Sequence, residues 1–66
     1  MAVSRGLELL KQTNPNPEEV RKSIAALILD AAHIQKCINA NFRDRSSGEA
    51  SIDEILNIIQ QLKQKL

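Results

Sequence analysis

The sequence predicts an all-α protein: a helical hairpin with a short N-terminal third helix, assembling into a dimeric helical bundle. Three observations predict it. Apolar residues recur at spacings of three and four in three separate segments. The two later segments each open on a cap signal. The chain has 66 residues, and a single domain of this size buries only roughly 60% of its unfolded surface, so its own core is marginal.

The first helix is expected from Val3 to Gln12. Val3, Leu7 and Leu10 are spaced four and three apart and share one face. Gly6 weakens such a helix by about 1 kcal/mol relative to Ala. A helix this short is not stable alone and must dock. The stretch "TNPNPEE" then breaks it, because each proline disfavours helix in the residue before it. The same stretch starts the next helix. Asn16 is a favoured N-cap, Pro17 takes the first helical position, and Glu19 lies three after the cap.

The second helix is expected from Pro17 to Arg43, ended by Ser46, Ser47 and Gly48 in "RDRSSGEA". Val20, Ile24, Leu27, Ala31, Ile34 and Ile38 form its main seam, with Ile28 and Phe42 broadening it. The third helix is expected from Ile52 to Lys65. Ser51 would cap it, with Glu54 completing a capping box. Ile52, Ile55, Ile59, Leu62 and Leu66 follow as a heptad-type seam, and Leu56 and Ile58 widen it to either side. The expected core is therefore Val20, Ile24, Leu27, Ile34, Ile38, Ile52, Ile55, Ile59 and Leu62.

A second surface of the long helix is the source of the dimer expectation. Ala25, Leu29 and Ala32 step by four and three beside the main seam. "LIL" at positions 27–29 spreads apolar side chains over about 200° of the helix wheel, more than one neighbouring helix covers. The expected interface is Ala25, Leu29 and Ala32 with the bordering polar residues Lys22, His33 and Lys36.

Composition narrows the function classes. The net charge is +1, from nine basic and eight acidic residues. That gives no overall field for nucleic acid or an anionic membrane. Phe42 is the only aromatic residue, which removes base-stacking platforms and the usual anchors of a small-molecule pocket. No apolar run approaches the roughly 18 residues of a membrane span. "MAVSRGLELLKQ" lacks the apolar centre of a signal peptide. A single unpaired cysteine with no such signal fits the cytoplasm.

One constellation has chemical potential. Asp30, His33 and Cys37 lie three and four apart on one surface. Cys, His and Asp all bind zinc, and a Cys–His pair activates a thiolate. No loop, pocket or oxyanion hole surrounds them in the sequence, so no catalytic, metal or cofactor site is assigned. The expected function is that of a small protein–protein interaction module: an adaptor, regulator or chaperone-like subunit working through helix packing. It is not expected to be an enzyme, and its partner is protein, as a homodimer or a heteromeric helical complex. The alternatives are a nucleic-acid-binding helical-bundle dimer and a small metal-binding protein using Asp30, His33 and Cys37.

Overall fold

A cap decides where the longest helix begins. Asn16 holds an extended backbone, and its Oδ1 accepts a hydrogen bond from the Glu18 N–H at 2.9 Å. Pro17 follows with its ring already set for a helix. In the computed structural model, which describes residues 2–66, this start belongs to the second of three helices. They are α1 (Ala2–Lys11), α2 (Pro17–Asn39) and α3 (Arg45–Lys63). The three pack together in an envelope of 40 × 17 × 16 Å. The α2–α3 hairpin is the principal contact, and α1 touches both of its helices.

The end of α2 departs from the sequence expectation. The helix stops at Asn39 rather than Arg43. Asn41 adopts the left-handed conformation, with φ of 62°. The Asn41 N–H donates to the Ile38 carbonyl at 3.1 Å, and the Phe42 N–H to the Cys37 carbonyl at 2.9 Å. This pair of bonds is a Schellman stop, with Asn in the role glycine usually takes. The reversal carries Phe42 out of helical register. It is 85% exposed and does not broaden the core seam.

The start of α3 departs further. The helix begins at Arg45, not at Ile52. Asp44 is the cap, its Oδ2 accepting from the Ser47 N–H at 3.0 Å. Ser46 and Ser47 form the first turn, where serine is tolerated. Ser51 sits inside the helix, and its hydroxyl accepts a hydrogen bond from Arg43 Nη2 at 2.8 Å. Gly48 is a buried helical residue rather than a breaker. A Cβ built on it would meet Ile38 Cδ1 and would lie 2.6 Å from Ile38 Cγ1. The glycine is there because the Ile38 side chain rests on its backbone.

The core gathers Leu9, Val20, Leu27, Ile55, Ile58, Ile59 and Leu62, with Ile38 buried at the hairpin end. Ile24 and Ile34 are half-buried against it, and Ile52 is half-buried. Ile58 lies in the interior rather than beside the seam. The buried face of α1 is also rotated from the expected one. Gly6 and Leu9 are buried and Leu7 points outward. The cause is again a glycine. A Cβ on Gly6 would lie 3.1 Å from Ile58 Cγ2 and 3.4 Å from Leu27 Cδ1. The α1 backbone therefore comes closest at Gly6, in the groove between α2 and α3.

Exposed polar links hold α1 at both ends. Arg5 donates to Glu19 Oε2 on α2 at 2.9 Å and to Glu8 Oε2 at 3.3 Å. Lys65 Nζ donates to the Gln12 carbonyl at 3.0 Å. The hydrogen bond from Arg5 holds the Glu19 carboxyl below its ordinary value of 4.5. A depressed carboxyl stabilises the fold above its unfolded pKa, and that contribution is lost as pH falls through the folded one.

Gly48→Ala adds a methyl against Ile38, and overpacking of that kind costs about 1–3 kcal/mol, opposing a gain of about 1 kcal/mol in helix propensity. Urea unfolding should show net destabilisation. Glu19→Gln should remove a small part of the stability lost below pH 4.5, while leaving the neutral-pH fold intact. Melting curves across that range check this.

Candidate interaction surface

The α1 helix occupies one flank of the α2–α3 hairpin, with Gly6 over Leu27 of α2 and Ile58 and Leu62 of α3. Among the described residues, no helix lies on the opposite flank. Ile28 was expected to broaden the main seam, but it stands on this open side and is 53% exposed. Leu56 of α3 stands on the same side, 50% exposed. Ile24 and Ile52, both half-buried, lie between these two side chains and the core.

The expected interface residues are all on the outside of α2. Ala25, Leu29 and Ala32 are exposed, as are Lys22, His33 and Lys36. Leu29, at 70%, is the most exposed large aliphatic side chain of the helix. At 100° per residue, Ile28 lies between the buried seam and Leu29, so Ile28, Ala25, Leu29 and Ala32 form one apolar surface. The sequence shows that α2 has too much apolar surface for one neighbour. It does not show which flank α1 takes, so Ile28 cannot be assigned to the open side before the fold is known.

The histidine and cysteine have a weak geometry. His33 Nε2 lies 3.7 Å from Cys37 Sγ across one turn of exposed helix. Together with Lys36, Ala40 and Phe42 they line an open groove of about 340 Å³. The Phe42 ring reaches this groove because the Schellman turn folds it back beside Cys37. Asp30 belongs to another open groove of about 340 Å³, shared with His33 and bounded by Val3, Arg43 and Glu54. Among the described residues, no group of three or more His, Cys, Asp and Glu side chains is placed to hold a metal ion. Asp30, His33 and Cys37 share a helix surface without converging on one point.

The basic residues are dispersed. Arg5 pairs with Glu8 and Glu19, and Arg45 lies 3.6 Å from Glu49. Arg43 is turned onto Ser51. Among the described residues, no helix is long and apolar enough to cross a membrane.

No family model, curated protein or solved structure matches this chain.

The exposure of Ile28 and Leu29 predicts that Ile28→Glu and Leu29→Glu leave the fold of a single chain intact. Substitutions at exposed positions usually fall within about 0.5 kcal/mol. Circular dichroism in dilute solution should show unchanged helicity for both.

Proposed function

We propose that this protein is a small interaction module that works by packing the outer surface of α2 against another helix. The observation that supports it is the run of exposed apolar side chains on a chain too small to cover them. Ile28, Leu29 and Leu56 are each at least half exposed, beside the small residues Ala25 and Ala32. Small residues let a second helix axis come close, and Leu29 gives it a projecting side chain to pack around. Lys22, His33 and Lys36 border this surface and give it a polar rim, as interaction surfaces generally have. An adaptor, a regulator or a chaperone-like subunit would use such a surface, with a protein as its partner.

Native mass spectrometry of the protein from the cells that make it tests this. The expected result is a species heavier than the 7.4 kDa chain, lost in the double variant Ile28→Glu/Leu29→Glu. A bare single-chain mass for the unmodified protein, or a complex indifferent to the double variant, would overturn the reading.

A further inference from the structure

We propose that the open flank of the α2–α3 hairpin takes a second copy of this chain, in an antiparallel twofold arrangement centred on Ile28 and Leu56. This rests on the interaction reading above and narrows it to one partner, one flank and one orientation.

Two lines of side chains build the flank. Arg21, Ile28 and Gln35 are seven apart on α2, and Glu49, Leu56 and Lys63 are seven apart on α3. Positions seven apart differ by only about 20° on a helix, so each trio runs nearly straight along its axis. All six are exposed. The two lines are also level with each other. Ile38 rests on Gly48. An equal number of residues back along α2 and onward along α3 reaches Ile28 and Ile58. Leu56 is therefore within one turn of the level of Ile28.

Charge then selects the orientation. The start of α2 and the end of α3 lie together, so Arg21 and Lys63 make one end of the flank basic. Glu49 stands at the other end. A twofold axis parallel to the helices would set the basic end of each copy against that of the other. An axis perpendicular to the helices, through the level of Leu56, reverses the second copy. Lys63 then faces the partner's Glu49, and symmetry repeats the pair on the other side of the axis. Glu49 and Lys63 stand about 10.5 Å from Leu56 in opposite directions, as this arrangement requires. The Arg45 neighbour of Glu49, on its own helix at 3.6 Å, is an exposed pair, and such pairs hold a carboxylate only weakly. Arg21 falls level with the partner's Asn39, whose amide is neutral, with the partner's Gln35 about 6 Å further along. A twofold contact of this kind is self-complementary and closed, so it ends at two copies. It yields a four-helix layer of two hairpins, with α1 on the outside of each.

Sedimentation equilibrium of the full chain, up to about 1 mM so that even a weak complex is populated, tests the proposal. Unmodified protein should reach twice the 7.4 kDa chain mass. Leu56→Glu should return it to the single-chain mass with helicity retained. Glu49→Lys should weaken association by roughly tenfold, and adding Lys63→Glu to it should restore most of the loss, because the swapped pair is again complementary. The charge variants stand even if Leu56→Glu were to misfold. A single-chain mass at all concentrations would overturn the second-copy proposal. So would dimers indifferent to Leu56→Glu, or a charge swap that fails to rescue. A chain that sediments alone yet forms a heavier complex in its own cells would leave the interaction reading standing with a different partner.

Discussion

The contact between Ile38 and Gly48 fixes the molecule. Ile38 is the last buried residue of α2, and Gly48 lies in the fourth position of α3. Because glycine has no Cβ, the isoleucine side chain rests directly on the α3 backbone. That contact sets the register of the hairpin. The register aligns Leu27 with Ile58 and Leu62, and it opens the groove into which Gly6 of α1 descends. A hairpin held one turn out of register would lose the groove as well as the contact, since every buried side chain of α3 would face a different neighbour.

Both glycines of the chain are used in this way. A Cβ at Gly48 would overlap the Ile38 side chain and one at Gly6 would sit tightly against Ile58, in a bundle 17 × 16 Å in cross-section. A narrow bundle has little interior for its length. Seven side chains close the main core around α1 and Ile38 is buried at the hairpin end, while Ile28, Leu29 and Leu56 stay at the surface.

Much of this was legible in the residues, and the exceptions have physical causes. The Asn16–Pro17 start needed only local chemistry and lies where the sequence puts it. Six of the nine expected core residues are buried, and Ile24, Ile34 and Ile52 are half-buried. The α3 start was misplaced because Ser46, Ser47 and Gly48 resemble a linker. Their helical state depends on Asp44 capping them and on Ile38 needing a glycine to rest on. Ser51 and Glu54 carry a capping signature that the longer helix overrides. The α2 stop was readable in Asn41, a residue that tolerates the left-handed conformation. The rotation of α1 was not readable, because Gly6 has no hydropathy to mark it as a buried position. On the candidate surface, Leu29 and its alanines were visible from spacing alone. The flank shared by Ile28 and Leu56 needed the position of α1.

The manner in which α1 is held has a thermodynamic consequence. A ten-residue helix has almost no helicity by itself. Its formation and its docking are therefore one event, and the free energy of that event is the whole of its stability. Leu9 and Gly6 supply the buried contact, while Arg5 and Lys65 supply exposed links that ions screen. The α2–α3 hairpin shares in that event, because Leu27, Ile58 and Leu62 lie under Gly6 in one core with Leu9. The three helices thus share one core. An opening that removes α1 therefore uncovers the hairpin's own core, which ties the hydrogen-exchange protection of α1 to that of α2 and α3.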